Sequence, residues 1–235
     1  MKEIIEKTLQ LIRKDLERTL TYQPNSIGIT SLLYCPLKTE YKKQYPELKA
    51  ESIAIDDGFL FENLFTPYLE RILVGKTIKK EPEIYATIND TTISGHPDLI
   101  IEEENKITIL EFKAPISIFL QNKEIELPEE EVIIDNNNIF KVSENYIEQA
   151  KIQKKIAQMF YNKPVESYIF IKSTAEIKRK KKKLLILKPI EEDITEEKLI
   201  ELVEKFKNDK KPRYDWECNY CSFSKICELK NSNSP

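Results

Sequence analysis

An α/β fold, a mixed sheet carrying helices, is predicted by three observations on this chain of 235 residues. Residues 95–101 and 107–113 are β-branched, apolar runs parted by Glu102-Glu103-Glu104-Asn105, which reads as a hairpin. Residues 2–21, 58–73 and 143–161 place apolar side chains at helical spacing. The elements then follow in the order helix, strand, hairpin, helix, strand, strand, which suits a sheet covered by helices. A hydrophobic content of 40% fills one core, and the length suits one large domain.

The first helix carries Ile5, Leu9, Ile12, Leu16 and Leu20 on one stripe, and Pro24-Asn25 ends it. Residues 30–36 begin a short helical or irregular region that 41–46 continues. From Gly58 to Leu73 the stripe is Phe59, Phe61, Leu64, Phe65, Leu69 and Ile72, with Pro67 expected to kink or split the helix. Glu62 falls one turn from Phe59 and Phe65, on or beside that stripe; a glutamate there ordinarily keeps its head in water. Residues 82–88 read as a strand and Asn89-Asp90 as a turn. Residues 115–142 fit no clean period and read as an insertion with one hairpin. Ser143 is the expected N-cap of a helix reaching Tyr161, whose apolar face holds Ile152, Ile156, Met159 and Phe160. Gln149 and Gln153 share that stripe, and buried amides need partners. Residues 165–171 form a strand. The basic run Lys178, Arg179, Lys180, Lys181, Lys182 and Lys183 reads as a solvated loop before a strand over 184–187. Thr195 caps a helix over 196–207.

No apolar run of 18 residues is present, so no membrane span is expected, and Met1 leads into a charged helix rather than a signal peptide. The expected location is cytoplasmic. Charged residues make up 33% of the chain and the net charge is −3, which argues mildly against nucleic acid as a partner. The positive charge is clustered, however, and the run 178–183 is the candidate DNA-backbone contact.

With Glu104-Asn105 as the tip of the hairpin, residue 103 faces 106, Asp98 faces Glu111 and His96 faces Lys113. Directly opposed residues have Cβ atoms ~5 Å apart. Alternation then puts two carboxylates and an amine on one face at one end, with Ile100, Ile107 and Ile109 burying the other end. Carboxylates this close repel unless a cation compensates them, and oxygen ligands suit magnesium or manganese. A Glu-x-Lys taken alone is an ordinary polar strand edge. The four cysteines, Cys35, Cys218, Cys221 and Cys227, form a Cys-x2-Cys-x5-Cys tail with one distant partner. Disulfides are not expected in the cytoplasm. Four thiolates fit either a structural zinc or an iron–sulfur cluster.

Pro97-Asp98 followed by Glu111-Phe112-Lys113 resembles the PD-(D/E)XK nuclease superfamily, whose core is restriction-endonuclease-like. A Gly58-x-x-x-Glu62 helix and a later Gln149 helix resemble its RecB-like branch. One early cysteine and a three-cysteine tail resemble the CRISPR-associated RecB-like exonuclease family, over roughly residues 28–228. The resemblance implies a 4Fe–4S cluster on Cys35, Cys218, Cys221 and Cys227. It implies Mg2+ or Mn2+ on Glu62, Asp98, Glu111 and the Phe112 carbonyl. Asp98, Glu111, Lys113 and Gln149 become catalytic residues. Glu62 stands where a histidine is usual and Gln153 where a tyrosine is usual, while His96 is no motif position. The implied activity is a DNA exonuclease on single strands or ends, with 5′→3′ polarity. The implied partners are DNA, CRISPR integrase proteins and further copies of the chain, and similar proteins also occur in archaeal viruses. Two other readings stay open: a non-catalytic DNA-end-binding module, and a zinc-stabilised interaction domain.

The expected organisation is one nuclease domain over 1–228. A helical region 1–75 contributes Cys35 and Glu62, a core spans 80–208 with the insertion 115–142, and a cluster-binding tail spans 212–228. Residues 229–235 are a disordered stub.

Overall fold

The computed structural model describes residues 23–46, 48, 53–115, 117–121, 132–177 and 180–227. The helix expected over 2–21, the residues Lys178 and Arg179, and the stub 229–235 lie outside them. A short strand β1 (Ile27–Gly28) leads into helix α1 (Ile29–Leu33), and Cys35 is the N-cap of α2 (Pro36–Gln44). Pro36 takes the first turn of α2, where a missing N–H leaves no helical bond unmade. Helix α3 (Ile53–Ile72) runs through Pro67 as one element and is not split. Phe61 and Phe65 before the proline and Leu69 after it pack on one apolar cluster, so tertiary contacts hold the axis together. Leu64 and Ile72, expected on the buried stripe, are exposed.

Strands β2 (Thr77–Lys80), β3 (Ile84–Ile88) and β4 (Thr91–Gly95) follow. Asn89 and Asp90, at φ of 44° and 60°, both take the left-handed conformation that a tight hairpin demands. Next come β5 (Leu99–Glu102) and β6 (Ile107–Lys113). The expected strand over 95–101 therefore starts late. Gly95 belongs to β4, and Pro97, having no N–H to give a ladder, lies in the link between the two strands. The hairpin register is the one counted from sequence: Leu99 pairs with Leu110 and Glu102 with Ile107.

Beyond β6 lie β7 (Phe119–Leu120), β8 (Val132–Ile134), β9 (Phe140–Lys141), α4 (Glu144–Tyr161), β10 (Val165–Ile177), β11 (Lys180–Pro189), α5 (Glu196–Asn208) and a 3-10 turn, Glu217–Tyr220. Among the described residues the main sheet has six strands in the order β2-β5-β6-β10-β11-β8. Its centre is the parallel pair β6–β10, joined through α4. In place of a simple hairpin, the insertion pairs β7 antiparallel with β9, while β8, between them in sequence, pairs parallel with β11. Asp135 fastens it: the buried carboxylate accepts from Ile139 N at 2.5 Å, and Lys188 Nζ reaches the Asp135 carbonyl at 2.7 Å. Lys180–Lys183 sit in β11, not in a loop, because β10 continues to Ile177 and pairs with them, Thr174 opposite Lys183 and Ala175 opposite Lys182.

Two apolar layers cover the sheet. Ile100, Ile107 and Ile109 pack with Ile152, Ile156 and Ala157 of α4. On the α3 side Phe61, Phe112 and Phe170 cluster with Leu99 and Ile101, and Phe65 lies 4.7 Å from Phe170, edge to face. Met159 and Phe160 depart from the expected buried stripe of α4 and are exposed. Both lie in its last turn, where Phe160 packs on Tyr85 at 5.1 Å.

Candidate functional site

The end of the β5–β6 hairpin brings Asp98, Glu111 and Lys113 together, as the alternation of strand side chains requires. Asp98 Oδ2 accepts from Phe112 N at 2.7 Å. Lys113 Nζ donates to Glu111 Oε1 at 2.6 Å. From α4, Gln149 Nε2 donates to the same oxygen at 2.5 Å and Gln153 Nε2 donates to Glu111 Oε2 at 2.9 Å. Glu111 is buried, so these amides and the ammonium replace the water its charge has lost. Both glutamines on the α4 stripe thus find a partner, and it is the same one. Lys113 Nζ also lies 5.4 Å from the Tyr146 ring centroid. Phe112 turns its ring into the α3 core, leaving its main chain between Glu111 and Lys113.

Burial pushes the Asp98 carboxyl well above its usual range, and the charges of Glu111 and Glu62 push it further; Lys113 and the Phe112 N–H act the other way. Burial alone lowers Lys113, but Glu111, Asp98 and the hydrogen bond outweigh it and raise the ammonium above its ordinary value. Glu62 on α3 is 3% exposed, not a boundary residue with its head in water, and its Oε1 lies 3.9 Å from Lys80 Nζ. Among the described residues, no three His, Cys, Asp or Glu side chains close up into a ready metal cage. The donor chemistry nevertheless fits a hard divalent cation. Three carboxylates face one region, and their repulsion is registered in the raised Asp98 carboxyl. His96 turns to the Glu81 carbonyl at 3.1 Å, away from this role.

The four cysteines meet around one cavity of about 30 Å³, with Leu37, Lys38, Tyr41, Pro212 and Glu217. Burial raises the Cys35 thiol, partly offset by backbone N–H groups of Lys38 and Leu37 at the start of α2. Thiols lining one small cavity fit a soft metal or an iron–sulfur group. Glu217 ties this module together: it accepts from Cys35 N at 2.8 Å, Arg213 N at 2.7 Å and Tyr214 N at 2.9 Å. Sequence reasoning passed over Glu217; the signal was an acidic residue directly before Cys218. It also missed Tyr146, which no pattern marks. Phe223 is buried beside Tyr41, at 5.8 Å, and Tyr41 lines the cavity. Tyr34, Trp216 and Tyr220 do not line it. The described basic residues Lys182 and Lys183 stand near the tip of the β10–β11 arm and do not join either site.

No protein-family model matches the chain. A CRISPR-associated exonuclease Cas4 of Saccharolobus solfataricus is 27% identical over 230 residues, covering 94% of this chain and 96% of that protein. The crystal structure of SSO0001 superposes with a TM-score of 0.65 at 21% identity, over 95% of this chain and 96% of that one, and shares the fold.

Proposed function

We propose that this chain, a Cas4-like protein of the RecB nuclease type, is a divalent-metal-dependent deoxyribonuclease that removes nucleotides from single strands or DNA ends. The observation that carries the reading is the grouping of Asp98, Glu111 and Lys113 at one strand end, with Gln149 and Gln153 fixing Glu111. A cation would be held by Asp98, Glu111, the Phe112 carbonyl and Glu62. When bound, Mg2+ or Mn2+ supplies Lewis acidity toward the phosphodiester and a more acidic water.

The chain's own residues do the rest. Lys113 stays protonated beside Glu111 and Asp98, so it is a fixed positive charge for the oxygens on which negative charge develops. Gln149 and Gln153 hold the Glu111 carboxylate in one orientation, which keeps both of its oxygens aimed from the strand end. The Phe112 N–H does the same for Asp98. Four thiols around one cavity support a 4Fe–4S cluster as a structural group that joins the α1–α2 region to the tail. Spacer acquisition alongside CRISPR integrase proteins, or viral or archaeal DNA processing, is the proposed setting.

Labelled single- and double-stranded DNA, incubated with and without manganese, tests this. Cleavage should need the metal and stop with chelator, and Asp98→Ala, Glu111→Ala and Lys113→Ala should each abolish it. Wild-type rates from a folded Glu111→Ala protein would remove the nuclease assignment. Anaerobically purified protein should be brown, with about four irons per chain; stoichiometric zinc without iron would replace the cluster with a zinc site.

A further inference from the structure

Of the aromatic residues near the cysteines, Trp216 and Tyr220 stand in the open. Trp216 is 43% exposed and Tyr220 79%. Tyr214 stacks on Trp216 at 5.5 Å with an interplanar angle of 15°, and Tyr34 and Tyr220 meet Trp216 edge-on at 6.2 and 6.5 Å. Exposed aromatic area gathered in one place marks a binding surface. Tyr214 and Trp216 line a cavity of about 610 Å³. Its other walls include Pro115, Phe119, Lys141, Glu144 and Tyr146, and Phe119 is itself 70% exposed.

This cavity adjoins the candidate active site through residues that neighbour Lys113. Tyr146 is the ring over which Lys113 Nζ lies. Pro115 follows Lys113 by two residues, and Ile171, also in the lining, is paired with Lys113 across the sheet. A polymer whose phosphate reaches Lys113 would have this cavity beside it, with Phe119 and Trp216 in its lining. The ring faces offered there suit flat, apolar partners; Lys141 and Glu144 both line the wall, so the rings rather than net charge favour such a partner. Unpaired bases have free faces; bases in a duplex are covered by their neighbours.

We infer that Tyr214, Trp216 and Tyr220, with Phe119 across the cavity, form a stacking platform for the unpaired bases of single-stranded DNA leaving the Asp98–Glu111–Lys113 site. The inference rests on the nuclease reading of that site and adds to it a subsite and a reason for single-strand preference. It also gives the cysteine module a task. Glu217 receives the backbone N–H groups of Arg213 and Tyr214 and of Cys35, and Cys218 follows directly, so the segment bearing the platform is fixed from the cysteine side.

Trp216 is the only tryptophan in the chain, so its fluorescence reports on the platform directly. The protein is titrated, with no divalent cation added, with oligo-dT, with a blunt duplex of equal length and with oligo-dT carrying abasic sites. Oligo-dT should quench Trp216, and the duplex should not. Trp216→Leu should weaken oligo-dT binding roughly tenfold or more, and Trp216→Phe should keep most of it. Abasic sites should weaken wild type at least to the level of Trp216→Leu, and weaken that variant by less, since its remaining rings still stack bases. Unquenched fluorescence together with equal oligo-dT affinity in wild type and Trp216→Leu overturns the platform and leaves the patch to a protein partner. Metal-dependent cleavage with no quenching removes the platform while the nuclease reading stands; quenching without cleavage does the reverse. If Trp216→Leu fails to fold, the abasic comparison in wild type still decides.

Discussion

Glu111 accepts hydrogen bonds from three side chains, one on its own strand and two from α4. Removing one of them has two separable effects. Lys113→Ala takes the neighbouring cation from a buried carboxylate, which costs about 3 kcal/mol or more when a charge is left uncompensated. Calorimetry should show the variant melting lower than wild type without metal and recovering when manganese is added, while turnover stays abolished. Asp98 gives a dependence on pH. Its folded carboxyl lies well above the unfolded value, chiefly through burial. Folding therefore takes up a proton, and the stability of the metal-free protein falls as pH rises from the ordinary carboxylate value through the raised one, then levels. Asp98→Asn should flatten that fall in melting temperature. Manganese favours the ionised form, so its affinity should rise with pH across the same window.

The β5–β6 hairpin was readable because one buried face admits one register, and a slip by a single residue would turn Ile100, Ile107 and Ile109 outward. The Glu111 partners on α4 were readable only as polar residues on an apolar stripe; which strand they met depended on a crossover that no local pattern encodes. The arm β10–β11 was read short for the opposite reason. Six consecutive basic residues mask a strand by composition, although cross-strand pairing with 174–177 supports it. Its lysines remain the proposed backbone-binding residues. Neutralising Lys181, Lys182 and Lys183 should weaken single-strand binding and reduce the salt slope by roughly 0.7 for each phosphate no longer neutralised; an unchanged slope would leave the arm a solubilising one. Gly95 closes β4 against α1, where an added Cβ would meet Ile29 Cδ1 at 2.5 Å and Cγ1 at 3.0 Å. Gly95→Ala should therefore force Ile29 from its seat and cost about 1–3 kcal/mol in a denaturant titration.

Across the whole molecule, the α1–α2 region and the tail are joined without belonging to one sheet. Cys35 N reaches Glu217 Oε2 across 182 residues of sequence, and Arg213 reaches the Leu32 carbonyl at 2.5 Å. A cluster on the four thiols would close that same loop covalently, and long loops gain most from closure in principle. Cys→Ser at any of the four positions should give colourless protein with a lower melting temperature, while Asp98 and Glu111 still bind manganese in the fraction that stays soluble. The Glu217 clamp has a consequence in time as well as in space. A chain emerging from the ribosome folds from its N-terminal side, and α1 and α2 are among the earliest described segments to appear. Their acceptor, Glu217, lies in the last of the described elements. Every strand of the main sheet precedes it, so a nascent chain can complete the Asp98–Glu111–Lys113 grouping well before Cys35 has anything to dock against. Chains that stall after Pro189 would carry Asp98, Glu111 and Lys113 on a sheet whose strands are all made, without Glu217 or the segment bearing Trp216.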